Sequence, residues 1–184
     1  MPLKLSTLSI LLGLAFGLPN VYGLMKPRQF GEAVRKFPRS TNWGYALMIL
    51  ATGWFLWNLK EESIADFENL KPALYTLFIA VGIGTCVFVR DFIAVRGLAV
   101  VLLLLAKLMV DSARWAESDF RLVIVTWAYV LVFAGMWFTI SPWRLRDLLN
   151  WGTATEQRIR IGSSLRLAFG LFVAILGFTA FRAS

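Results

Sequence analysis

The sequence has no histidine and only one cysteine, Cys86, in 184 residues. Without histidine, the commonest general acid–base and the commonest metal ligand are both missing. Haem held by histidine is excluded as well. A zinc site needs several Cys, His or carboxylate ligands at short spacing. Cys86, alone inside an apolar run, supplies neither such a set nor an intramolecular disulfide. Charge is scarce too. Asp, Glu, Lys and Arg make up 16% of the chain, where a soluble domain carries about 25%. Gly82-Ile83-Gly84-Thr85 lacks the following lysine of a phosphate loop. The expectation is a protein that is not an enzyme, with no catalytic residue, bound metal or cofactor.

What is present is apolar. Hydrophobic residues make up 58% of the chain and the mean hydropathy is +0.67. They fall in long runs, which points to lipid rather than water as the solvent. Six segments approach the roughly 20 residues that cross a bilayer. They run from Leu5 to Leu24, Trp43 to Leu59, Pro72 to Val89, Phe92 to Val110, Leu122 to Ile140, and Ser164 to Phe181. The second and third are short. The expected fold is all-α, a single integral membrane domain over 1–184 with about six transmembrane helices arranged as three hairpins.

The links carry the charge. The first holds Lys26, Arg28, Arg35, Lys36 and Arg39, the third Arg90 and Arg96, and the fifth Arg144, Arg146, Arg158 and Arg160, with Arg166 at its edge. The second and fourth dilute their cations with Glu61, Glu62, Asp66 and Glu68, and with Asp111, Glu117 and Asp119. Lys and Arg in short loops stay on the cytoplasmic side. The alternation therefore predicts an inner-membrane protein with its odd links inside and both termini outside. Nucleic acid is a poor fit to the net charge of +8, because no basic face interleaved with exposed aromatics is visible. Lys4, the run Leu5 to Leu18 and Val21-Tyr22-Gly23 also have the form of a signal peptide. Cleavage there would send the basic stretch across the membrane, against the charge rule, so the expectation is an uncleaved span.

Two stretches repeat a pattern. Lys26-Pro27 and Ser141-Pro142 each follow an apolar span, open a basic stretch, and lead through a polar link to a span carrying Gly44 or Gly162. Proline suits the first turn of a helix, where its missing N–H has no partner to lose. Both stretches therefore read as short amphipathic helices. Phe30, Val34 and Phe37 form one apolar face; Leu145, Leu148 and Leu149, bracketed by Trp143 and Trp151, form the other. Such helices lie in the interface with cations toward anionic headgroups, or pack their apolar faces on the protein's own spans. The headgroup-facing residues are Arg28, Arg35, Lys36, Arg39, Trp143, Arg144, Arg146, Trp151, Arg158 and Arg160. The pattern suggests an internal repeat, 8–58 and 128–181, around a middle hairpin, 72–110.

The unit FTISPWRLRDLLNWGTATEQRIRIGSSLRLAFGLFVAILGF resembles a family of small two-span bacterial inner-membrane hairpin proteins with no assigned activity. The matching positions are Pro142, Arg144, Arg158 or Arg160, Gly162 and Gly170, with Pro27, Arg28, Arg35 and Gly44 in the other copy. The resemblance implies architecture alone.

Three further features concern the spans. Gly13 and Gly17 form a GxxxG that lets two backbones approach, and Gly82 and Gly84 read as close-packing glycines too. Lys107, Asp111 and Arg114 share one helical stripe; Lys107 either snorkels to the surface, pairs with a neighbouring span, or lines a path. Most tryptophans fall near span ends, where indoles favour the headgroup region, and Trp127 fits that rule least. The expected function is a non-enzymatic accessory or scaffold that binds lipid and other membrane proteins or itself. The alternative is a small transporter or channel using the Lys107–Asp111 stripe.

Overall fold

The computed structural model describes residues 4–61, 70–89 and 91–181. Glu62, Asp66, Glu68 and Arg90 of the links lie outside the described residues. Every element within them is helical: α1 (Leu5–Met25), α2 (Pro27–Lys36), a single 3-10 turn (Phe37–Arg39), α3 (Thr41–Glu61), α4 (Lys71–Phe88), α5 (Ile93–Ala113), α6 (Arg121–Ile140), α7 (Trp143–Gly152) and α8 (Glu156–Phe178). Five of these, α1, α4, α5, α6 and α8, are long and apolar enough to cross a membrane. The chain is an all-helical, multi-pass membrane protein. α3 has the length, 21 residues, but Asn42, Asn58 and three tryptophans dilute its apolar character, and it falls outside that set.

Prolines set the breaks. Lys26 leaves the helical region at φ −134°, ψ 68° before Pro27, and Ser141 does so at φ −131°, ψ 73° before Pro142. A residue preceding proline is pushed out of the α region by the ring, so the same chemistry ends α1 and α6 alike. Val89 closes α4 with a similar turn. Thr155 then starts α8: its hydroxyl accepts from the Arg158 backbone N–H at 3.2 Å, and Glu156 sits in the first turn, where the helix dipole favours an acid.

The tightest packing joins the two ends of the chain. α1 lies along α8, and glycines permit it. A Cβ on Gly13 would stand 2.4 Å from the Gly170 carbonyl oxygen, and one on Gly170 would stand 2.8 Å from the Gly17 Cα. Farther along the same contact, Gly177 lies against Ser6 and Ile10, and Gly23 against Ser163. The GxxxG of α1 is thus a packing site, and its partner is α8.

α5 is the central helix, buried among its neighbours through most of its length. Toward its C-terminal end, Ala106 and Met109 join Leu5, Leu8, Ile124, Ala128, Val173, Leu176 and Phe181 in one cluster. Toward its start, Val95 and Ala99 pack with Phe138 and Leu145, and Phe37, Phe92 and Leu149 close around them. The first, third and fifth links therefore meet at one end of the bundle. Phe92 adopts φ 56° there, a left-handed conformation that costs a non-glycine residue roughly 1–2 kcal/mol. Packing of its ring on that cluster offsets the strain.

α3 and α6 both seat on α5 through glycines. Gly44 faces Ile93 and Ala94, Gly97 faces Leu47 and Met48, and Gly135 faces Leu103 and the Ala99 carbonyl. α4 packs on α3, with Gly82 against Thr52 and the Phe55 and Phe78 rings 4.3 Å apart. Gly84 corrects the sequence reading. Its Cβ position meets nothing within 4 Å among the described residues, because two residues along a helix from Gly82 is the far side.

This contrast is testable by unfolding the protein in mixed micelles. Gly13→Ala drives a methyl into backbone, so it is expected to cost about 1–3 kcal/mol, the range of overpacked sites. Gly84→Ala adds its methyl in open space and is expected to be neutral or to gain up to about 1 kcal/mol from helix propensity. Equal effects at the two sites would refute the assignment of Gly13 to the contact.

Candidate functional site

The basic links do not stay separate. α2 carries Arg28, Gly31 and Arg35 at i, i+3 and i+7, one stripe of the helix. That stripe lies on the connection from α7 to α8. Arg35 Nε donates to Thr153 Oγ1 at 2.8 Å, and Arg35 Nη2 donates to the Thr153 carbonyl. Thr153 Oγ1 in turn donates to the Leu149 carbonyl at 2.7 Å. Arg28 Nε donates to the Glu156 carboxylate, which favours the charged guanidinium and moves the Arg28 pKa up. Between the two arginines Gly31 admits Ile159, whose Cδ1 stands 2.9 Å from where a Cβ would be.

A cavity of about 210 Å³ lies within this clasp, lined by Arg28, Glu32, Arg35, Thr153 and Glu156 among others. Thr153 is buried while Arg28 is exposed, so the two contacts differ in kind. The Arg28–Glu156 pair is solvated and weak. The Arg35 contact joins a guanidinium to a buried hydroxyl and carbonyl, and hydrogen bonds to charged groups contribute about 1.5–3 kcal/mol.

The remaining sequence-predicted cations surround this clasp. Lys36, Arg39, Arg144 and Arg160 are exposed. Arg146 pairs with Asp147 at 2.8 Å and lies 5.9 Å from the centroid of the Phe92 ring. Arg158 stacks on Trp151 at 5.1 Å and donates to the Trp151 carbonyl at 3.2 Å. Trp143 and Trp151 remain exposed. α2 packs on α7 as well as on α8. Thr153 and Glu156 were not singled out in the sequence, since a threonine and one acid in a polar link give no signal until α2 is placed against them.

Lys107 and Asp111 form an i, i+4 ion pair at 2.9 Å, with each side chain about half exposed, at 46%. Neither side chain of the pair is buried. Arg114 is exposed and lies 6.0 Å from the centroid of the Trp115 ring. Trp127 is a packing residue, edge-on to Phe16 and Phe169 with centroids 5.3 and 5.1 Å away. No family model, no curated protein and no solved structure matches the chain.

A double-mutant cycle isolates the clasp. Arg35→Gln and Thr153→Val are each expected to destabilise the fold, with a coupling of about 1–2 kcal/mol because the two side chains share one contact. Additive losses in micelle unfolding would mean that the two residues act separately.

Proposed function

We propose that this chain is a non-enzymatic accessory or scaffold of a bacterial-type inner membrane, with α3 as a sixth span completing three hairpins. In this reading α2 and α7 are amphipathic helices of the interface. The observation that carries the proposal is the clasp: Arg35 on Thr153 and Arg28 on Glu156 fix α2 to the connection from α7 to α8, and α2 packs beside α7, so that two short basic helices form one platform. Arg39, Arg144 and Arg160 are left exposed around it. Cations fixed in such a plate attract anionic headgroups, each contributing about 1 kcal/mol near the surface.

The positive-inside rule puts the platform on the cytoplasmic side and both termini opposite. A site for lateral association is offered by α4, which packs on α3 and leaves Gly84 with nothing within 4 Å among the described residues, the kind of small residue that lets a second helix approach. The hairpin family that the last unit resembles is consistent with this architecture and adds no activity. A transporter or channel built on Lys107 and Asp111 is the less favoured reading, because both side chains of that pair are half exposed.

Full-length protein extracted from its native membrane in mild detergent is expected to carry a stoichiometric second membrane polypeptide. A pure homo-oligomer that conducts ions in vesicles would replace the scaffold with the conduit. Orientation is checked separately by single cysteines in a Cys86→Ala background. Asn42→Cys and Ala154→Cys are expected to resist an impermeant thiol reagent applied to intact cells, whereas Glu117→Cys reacts. The reverse pattern would invert the topology.

A further inference from the structure

An apolar groove of about 630 Å³ runs between α6 and α8 over α1. Leu122, Trp127, Leu165 and Phe169 wall it, and Arg166 is its one charged lining residue. Phe16, Trp127 and Phe169 make its base, each ring edge-on to the next, with centroids 5.1 to 6.2 Å apart. Arg166 lies six residues beyond Arg160 on α8, about 9 Å deeper along the axis. Its side chain folds back toward the start of the helix. Nη1 lies 3.6 Å from where a Cβ on Gly162 would stand, in the direction helical side chains lean. The guanidinium is exposed, and no hydrogen bond or salt bridge ties it to another described residue.

An ionised group within a span is costly unless something neutralises it. The groove offers the means: a cation nearer the basic end and an apolar wall leading away from it. We propose that the groove holds one anionic phospholipid from the leaflet on the basic face, its phosphate on Arg166 and an acyl chain along Trp127 and Phe169. The order of the lining fits this, since Leu165, then Phe169 and Trp127, then Leu122 lie progressively farther from the basic end. A partner's helix fits less well. Helix contacts in lipid use small residues so that backbones can approach; three of the four glycines of α6 and α8 are already spent, and the fourth, Gly162, lies against the Arg166 side chain. Gly135 faces α5, while Gly170 and Gly177 face α1. The walls of the groove are large and flexible or aromatic, as suits a chain of methylenes. The site lies within the spans, apart from the α2–α7 platform, and does not rest on it.

Native mass spectrometry of the full chain, with phosphatidylglycerol or phosphatidylcholine added in mild detergent, tests the assignment. The full chain with the platform's exposed cations removed by Arg39→Gln, Arg144→Gln and Arg160→Gln is expected to retain the anionic lipid about fivefold better, which corresponds to about 1 kcal/mol. Arg166→Gln removes that preference, Arg166→Lys keeps most of it, and Thr126→Trp, which fills the groove at an exposed lining position, reduces retention of both lipids. Because the platform's exposed cations are absent from this background, the preference it retains belongs to the groove and not to the platform. An unchanged preference in Arg166→Gln overturns the proposal. So does a copurifying polypeptide that Arg166→Gln and Thr126→Trp release while lipid retention stays constant, since that assigns the groove to a partner helix.

Discussion

The contact on which the rest of the bundle depends is the crossing of α1 and α8 at Gly13, Gly17 and Gly170. In lipid, apolar side chains gain little by leaving the solvent, so helices associate through close packing and whatever polar contacts they can share. Glycine removes the side chain from between two backbones and lets dispersion act over main-chain atoms. Here the hypothetical Cβ distances fall to 2.4 Å, so no other residue type fits without separating the helices. The contact also spans the whole sequence, tying the first long helix to the last.

That closure determines where the charges go. Once α1 lies on α8, the end of α1 is beside the start of α8, and α2 has nowhere to run except across residues 153–159. Gly23 against Ser163 and Gly31 against Ile159 continue the same line of close contacts out of the bundle. Arg28 and Arg35 then reach Glu156 and Thr153 because they flank Gly31 on the same stripe. A basic loop that would otherwise repel its counterpart is held to it by one acid and one buried threonine. Packing between spans comes first, and the arrangement of the basic helices follows from it.

Much of this was legible in the sequence, at the level where a single residue type has a single use. Pro27 and Pro142 announced the helix breaks, the apolar runs announced six long helices, of which five are apolar enough to cross a membrane, and GxxxG announced a close contact. Partners were not legible. Gly82 and Gly84 are the same residue in the same helix, yet one meets Thr52 and the other open space, because only the placement of α3 distinguishes their faces. Thr153 looked like a link residue until Arg35 was beside it. Arg166 passed for the margin of a basic link, and only the packing of α1, α6 and α8 shows that it borders an apolar groove. Pattern reports what a residue can do, and tertiary neighbours decide whether it does.

The repeat poses a sharper version of the same point. If 8–58 and 128–181 are copies, α1 corresponds to α6 and α3 to α8. A two-fold axis relating them would then match the α1–α8 contact with an α6–α3 contact of equal closeness. α5 takes that place. It packs on both α3 and α6, and the close approaches that seat it involve Gly44 of α3, its own Gly97, and Gly135 of α6. Gly44 occupies the position in its copy that Gly162 occupies in the other, yet Gly162 faces only the folded-back side chain of Arg166. One glycine admits a third helix, and its counterpart leaves the path along which the Arg166 side chain folds back toward the start of α8. Similar sequence units can thus occupy unequal environments, because α5, packed on both α3 and α6, breaks the symmetry that two copies alone would have.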